Sequence, residues 1–185
     1  ITSHSLNVLE RAIEDDHFEV IMACYSFLEP EATEKVFPLA KGKDIGILAM
    51  KPFSGGVIEE AGPALRFVLS TANIVPIPGS ETLVRAHENW KIFTEGHSLT
   101  DKDKERIEAI KKEFDRQFCR RCDYCQPCTE KINIQFVVGL KSIIKRFGPG
   151  AQEVGWMKAL IEKARNCSEC GECLERCPYQ LPIPD

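Results

Sequence analysis

The chain opens with apolar residues at helical spacing and continues with short, wholly apolar runs. An amphipathic helix is predicted just after Ser5, its N-cap position, because apolar residues recur every three or four places at Leu6, Leu9, Ala12 and Ile13. Three apolar runs are long enough for buried strands but too short for independent helices: Phe18–Cys24, Ile45–Met50 and Ile74–Ile77.

Predicted helices separate and follow these runs. They span 32–41, ending at Gly42, then Pro63 to Ser70, 82–93 and 101–117. Alternation of helices with apolar strands is typical of an α/β protein with a parallel, helix-covered sheet. Because a complete (β/α)8 TIM barrel needs roughly 200 residues or more, we expect residues 1–117 to be the second half of such a barrel. A small open α/β layer is the alternative if nothing precedes them.

The pattern changes near Phe118, which we take as the start of a second domain at 118–185. Two groups of closely spaced cysteines form a degenerate repeat, and helices are predicted between them at 136–146 and 153–165. Neither cysteine loop has enough apolar residues for a core, so bound metal is expected to supply much of the folding free energy. The prediction is a small, mainly helical, ferredoxin-like domain.

Cysteine usage decides between disulfides and metal. Eight of the nine cysteines lie between Cys119 and Cys177, spaced by two or three residues within each group. Disulfides across so few residues are strained, and no secretory segment indicates an oxidising compartment. Metal ligation in a reducing cytoplasm is the better interpretation. The remaining cysteine, Cys24, ends an apolar run and is interpreted as a small buried hydrophobe.

The second group has the C-x₂-C-x₂-C-x₃-C-P spacing of bacterial ferredoxins, which predicts two 4Fe–4S clusters. Three thiolates on one tight loop reach three corners of a cluster, and the fourth turns toward the other cluster. The first group ends with a shorter spacing, so either Cys128 or Cys177 could complete each set. Two structural zinc sites are the less favoured alternative. The eight predicted ligands are Cys119, Cys122, Cys125, Cys128, Cys167, Cys170, Cys173 and Cys177.

Charge and hydropathy exclude other classes of protein. The net charge is −4, and residues 1–117 are acidic, so neither domain resembles a nucleic-acid-binding surface. No apolar stretch is long enough to span a membrane. The chain starts at Ile1 without an initiator Met, and we therefore interpret it as part of a longer polypeptide.

Three segments of residues 1–117 resemble the aldo-keto reductase family. They are Ile1–Ser5, Leu48–Gly56 and Ile77–Asn89, in the family's order and with its expected gaps. The whole chain resembles the C-terminal half of the subgroup with an attached two-cluster ferredoxin domain. The resemblance implies NAD(P)(H) binding. Polar side chains at the end of the first segment's strand would meet the nicotinamide amide, and the last segment would bind the adenosine end. The implied cofactor-binding residues are Thr2, Ser3, Lys51, Phe53, Gly55, Ser80, Thr82, Arg85, Glu88 and Asn89.

The chemistry of these residues suits that role. Ser80 and Thr82 precede a helix whose free N–H groups and dipole favour an anion. Arg85 could contact a 2′-phosphate and stack on adenine, while glycine at position 55 allows backbone to approach a pyrophosphate. A structural alternative remains, in which Ser80 and Thr82 only cap the helix and Arg85 pairs with Glu88 in solvent.

Departures from the family limit the prediction. Many members have Lys at the position of Gly79, so the resemblance implies NAD(P) in general and not NADP specifically. Met22 and Met50 replace residues that commonly face the nicotinamide. The family's catalytic Asp, Tyr, Lys and His belong to strands upstream of this chain, so no catalytic residue is assigned. The four histidines are interpreted as surface residues. We expect an NAD(P)-dependent oxidoreductase when complete, with a redox partner or small-molecule substrate; the alternative is an electron carrier without substrate chemistry.

Overall fold

The computed structural model describes residues 1–114, 118–148, 150 and 153–184. The chain divides into two compact units, Ile1–Arg116 and Gln117–Asp185. Within the described ranges, no helix is both long and apolar enough to cross a membrane.

The first unit is built on a four-stranded sheet. Its strands are β1 (Thr2–Ser3), β2 (Val20–Cys24), β3 (Gly46–Met50) and β4 (Ile74–Ile77), and they lie side by side in chain order. All three pairings are parallel. The predicted α/β class with a parallel sheet is therefore confirmed, as are the three apolar runs. The two-residue strand β1, which pairs with Met22 and Ala23, is too short for periodicity to detect.

In the described part of the first unit, five α-helices follow or connect the strands. They are α1 (Leu6–Glu14), α2 (Val36–Gly42), α3 (Ala61–Leu69), α4 (Leu83–Glu95) and α5 (Asp101–Phe114). The helix predicted from residue 32 was wrong at its start: a 3₁₀ turn at Glu31–Thr33 comes first. Pro38, which lacks an N–H, then falls in the first turn of α2, where that donor has no intrahelical partner. The last three residues of the helix predicted over 101–117 lie outside the described residues.

One face of the sheet carries the hydrophobic core. Alternate strand residues are buried against α1, α2 and α3, which contribute Leu9, Ile13, Phe37 and Val68; the strand residues are Ile21, Ala23, Ile47, Ala49 and Ile74. The opposite face is apolar but incompletely covered, since Val75 and Ile77 of β4 are exposed and Met22 and Leu48 are half-buried.

The regular secondary structure described in the second unit is helical, as predicted. The helices of its described residues are α6 (Ile134–Val138), α7 (Leu140–Phe147), α8 (Gly155–Ala164) and α9 (Glu172–Arg176). The single helix predicted over 136–146 was wrong, because the structure has two helices that meet at Gly139 and the first begins at Ile134. The short helix α9 was missed, since its five residues lie inside the second cysteine group.

Candidate functional site

The two cysteine loops share a backbone conformation. In the first loop Arg121 and Asp123 have φ of 52° and 67°, and in the second the equivalent residues Glu169 and Gly171 have φ of 53° and 79°. Left-handed residues beside right-handed ones turn successive N–H groups toward one side and form an anion-binding concavity of the kind found at iron–sulfur sites. The internal repeat seen in the sequence is thus also a repeat in structure.

The eight thiols fall into two sets around two cavities. Cys119, Cys122, Cys125 and Cys177, the first thiol set, line a narrow cavity of about 20 Å³. The second thiol set lines a cavity of about 390 Å³ that Cys125 also borders. Its members are Cys128, Cys167, Cys170 and Cys173. Each set therefore combines three cysteines of one loop with the last cysteine of the other.

The thiol pKa values follow the same grouping. Burial raises the pKa of Cys119, and the neighbouring thiols of Cys122 and Cys177 add to the rise. Burial also raises the pKa of Cys173, helped by Cys167, Cys170 and Cys128. In the first set, burial and the thiols at Cys119 and Cys122 raise the pKa of Cys125 to about 11. Without metal these thiols hold their protons at neutral pH, and a cationic ligand must displace those protons.

Hydrogen bonds stabilise the loops around the thiols. The Arg121 N–H donates to Cys119 Sγ at 3.4 Å. Hydrogen bonds to sulfur are among the factors that set the reduction potential of a cluster. Gln126 accepts from the Cys128 N–H at 2.8 Å and donates to the Ile132 carbonyl at 2.9 Å. From α9, the Arg176 guanidinium donates to the Pro127 carbonyl at 2.7 Å, so the two loops are linked directly.

The donor set fits 4Fe–4S clusters. All eight cysteines are free thiols, thiolate is the ligand that holds such clusters, and each cavity is lined by four members of its own set. In the part of the chain that the structure describes, no three His, Cys, Asp or Glu side chains are drawn together around a single ion.

Comparison with known proteins agrees with this assignment. Residues 118–182 match the family model described as a 4Fe-4S dicluster domain. No curated protein matches the chain. The C-terminal unit therefore has iron–sulfur character, which is consistent with redox activity and iron–sulfur electron transfer.

The predicted cofactor residues of the first unit lie in the short strand β1 and after the carboxyl ends of β3 and β4. Ser3 ends β1 and is buried, and its hydroxyl accepts from the Ser5 N–H at 3.0 Å. Thr2 Oγ1 lies 3.7 Å from Met50 Sδ at the end of β3. The loop after β3 contains Lys51, Phe53 and a 3₁₀ turn at Ser54–Gly56, in which Gly55 has φ of 71°.

The segment after β4 is ordered by its own side chains. Thr82 caps α4, its hydroxyl accepting from the Arg85 N–H at 3.2 Å. Asn89 is buried and donates to Ser80 Oγ at 2.9 Å. Arg85 lies 4.0 Å from Glu81, not paired with Glu88 as the structural alternative proposed, and Glu88 is exposed. Thr82 thus caps α4, and Asn89 holds the segment around Ser80 against that helix.

Sequence reasoning missed two contacts at the sheet edge. Cys24 is buried, as predicted, but its Sγ lies 3.1 Å from Nδ1 of His4, which is half-buried and not fully at the surface. Ser26 and Ser54 share a buried hydrogen bond of 2.8 Å. Both pairs join residues more than 19 positions apart, so no local sequence signal indicates them.

Proposed function

We propose that the second unit holds two 4Fe–4S clusters in a crossed arrangement, one on each thiol set. The single observation that carries this is the placement of Cys177 with the first loop's cysteines and of Cys128 with the second loop's. The bacterial-type spacing predicts the same exchange. Bound clusters supply one-electron oxidation and reduction, and the residues of this chain position them.

We further propose that the first unit is the second half of an aldo-keto reductase-type (β/α)8 barrel. Four parallel strands in chain order with helices against one face are what half of such a barrel contains. The apolar, incompletely covered face of the sheet supports the proposal, because parallel sheets are normally covered on both faces or closed into a barrel. The apolar side chains of Met22, Leu48 and Val75 would then fill the barrel interior. The partner implied is the first half of the barrel, with its catalytic residues.

NAD(P)(H) is the cofactor we propose for this unit. Active sites of such barrels lie at the carboxyl ends of the strands, where Thr2, Ser3, Lys51 and Phe53 are found. The N-terminus of α4 suits a phosphate, because Thr82 satisfies only one of its free N–H donors. Arg85 is half-exposed, and its partner Glu81 is on the surface, so a phosphate could compete for the guanidinium at little cost.

The complete protein is then an oxidoreductase that couples the two-electron chemistry of a nicotinamide to one-electron transfer through the clusters. A flavin or an external redox partner could mediate the change in electron number. The protein binds and orients each group and sets its electrostatic surroundings. We assign the proton donor of carbonyl reduction to no residue of this chain, so the chain by itself is expected to be inactive in that reaction.

The test has three measurements on anaerobically purified protein. Iron and acid-labile sulfide are expected in the amounts required by two clusters, with an EPR signal after reduction by dithionite. NADPH-dependent carbonyl reduction by this chain alone should be absent, and clear turnover would contradict the missing-donor argument. Absence of iron and sulfide after reconstitution would refute the cluster proposal.

An electron carrier without substrate chemistry is the second candidate, supported by the fact that the family match covers only the iron–sulfur unit. Titration with nicotinamide nucleotides separates the two. No binding by the protein with its upstream sequence included would favour the carrier, and saturable binding weakened by Arg85→Ala would favour the oxidoreductase. Lys91→Ala, which removes an exposed cation of the same helix outside the implied cofactor residues, is the matched variant for non-specific surface effects.

A further inference from the structure

Arg120 is a charged residue in a buried position. It follows the first cysteine of the first loop, and only 6% of its surface is exposed. A guanidinium stays protonated under all ordinary conditions, and burying a charge is costly unless its surroundings compensate. The position therefore requires a physical explanation.

Two aromatic rings and a carbonyl contribute to this compensation. The Arg120 guanidinium carbon lies 4.0 Å from the centroid of the Phe118 ring and 4.3 Å from that of Tyr179. Its Nη1 donates to the Phe118 carbonyl at 2.8 Å. Cation–π contacts on rings from two segments hold the charge in place. These segments carry Cys119 and Cys177, both of the first thiol set.

The charge borders only one of the two cavities. Arg120 lines the cavity of the first thiol set, together with Asp123. Among the described residues that line the second cavity there is no Lys or Arg, and three are glutamates: Glu130, Glu169 and Glu172. In the second loop the place equivalent to Arg120 is occupied by Ser168. The repeat thus preserves backbone conformation while the charge differs.

We infer that Arg120 raises the reduction potential of the cluster on the first thiol set and thereby makes the two clusters inequivalent. Net charge around a cluster is one of the factors that set its potential, and a buried charge is screened much less than an exposed one. A cation stabilises the reduced state, which carries one more negative charge. The inference rests on the proposed crossed clusters. Arg120 affects the first cluster through its charge and is not a ligand.

The experiment is a redox titration of the fully loaded chain, followed by EPR. Arg120→Met is expected to move one of the two couples to lower potential and leave the other unchanged. Arg120→Lys, which keeps the charge, should restore most of the difference. Arg165→Met is the matched control: Arg165 is also close in sequence to a thiol, Cys167, but exposed, so its removal should shift neither couple appreciably.

Each outcome decides the inference. Unchanged couples in Arg120→Met with full iron content would overturn it, as would an equal shift in Arg120→Lys, which would indicate lost packing. If Arg120→Met loses iron, Arg120→Gln repeats the test; loss of one cluster from both neutral variants would make Arg120 a structural residue and also overturn the inference. Failure of the cluster proposal itself is recognised separately, because the wild-type chain would then lack iron and sulfide.

Discussion

Arg66 of α3 and Asp103 of α5 form an ion pair in which Arg66 Nη1 lies 3.0 Å from Asp103 Oδ1 and 3.2 Å from Oδ2. The carboxylate is only 7% exposed. It also accepts hydrogen bonds from the Thr100 N–H at 2.9 Å and the Thr100 hydroxyl at 2.6 Å. One side chain therefore both orders the start of α5 and joins that helix to α3.

Removing this carboxylate is expected to destabilise the first unit. Asp103→Asn leaves a guanidinium without its charged partner and should cost about 2 kcal/mol, as for a partly buried pair. The measurement is urea unfolding followed by Trp90 fluorescence in a Trp156→Phe background. Asp101→Asn is the control, since Asp101 on the same helix is exposed, and it should change stability much less than Asp103→Asn. Equal effects would contradict the role assigned to Asp103.

The same pair predicts how the helices respond to acid. Burial raises the pKa of Asp103, but the Thr100 hydrogen bonds and the Arg66 charge outweigh it, and the pKa lies below its usual value. A lowered pKa in the folded state contributes stability above the unfolded pKa of about 4. That contribution is lost as pH falls through the folded value.

Amide hydrogen exchange of peptides from α3 and α5 reports this loss locally. The difference in protection between wild type and Asp103→Asn should be greatest at neutral pH and should shrink as pH falls below about 4. A difference that grows toward acid would have the wrong sign for a depressed carboxyl pKa and would refute the interpretation.

Crossed and uncrossed ligation give opposite results in two double variants. If the sets are crossed, Cys128→Ala with Cys170→Ala damages one set and should retain half the wild-type iron. Cys125→Ala with Cys128→Ala damages both sets and should retain little. Uncrossed ligation reverses these results. Iron and sulfide analysis of the two purified variants distinguishes crossed from uncrossed ligation, and each variant serves as the other's control.

Gly79 allows a test of nucleotide preference. A Cβ at this position would meet no atom within 4 Å, so Gly79→Lys can be accommodated. The added ammonium is expected to tighten NADP(H) binding by about tenfold through a charge-assisted contact with the 2′-phosphate, with a smaller effect on NAD(H). Nucleotide fluorescence titration measures both. Gly79→Gln, without the charge, should have little effect, and equal tightening of both nucleotides would contradict the prediction.

Gly171 tests the conformation shared by the two cysteine loops. An added Cβ would again meet nothing within 4 Å, but φ is +79°, so Gly171→Ala should cost about 1 kcal/mol from backbone strain alone. Gly171→Asn should cost less, because Asn tolerates this region and Asp123 already adopts it in the other loop. Stability of the loaded protein toward iron chelation ranks the variants. Equal loss from both substitutions would point to another cause.

The sequence by itself determined the local structure and the chemistry. Apolar runs such as Ile45–Met50 specify buried strands because every side chain of a covered parallel strand needs apolar surroundings. The spacing from Cys167 to Cys177 specifies thiolate ligands for an iron–sulfur cluster because a tight loop reaches several corners of one cluster. Both signals are contained within a dozen residues.

Tertiary structure alone decided which distant residues meet. The proposed exchange of Cys128 and Cys177 between the two sets rests on how two loops about 50 positions apart face each other, which the shorter final spacing of the first group left open. The burial of Arg120 between Phe118 and Tyr179, and the pairing of Arg66 with Asp103, arise for the same reason. Contacts across long loops come from the packing of whole elements, whereas hydrophobic period and ligand spacing are properties of short segments.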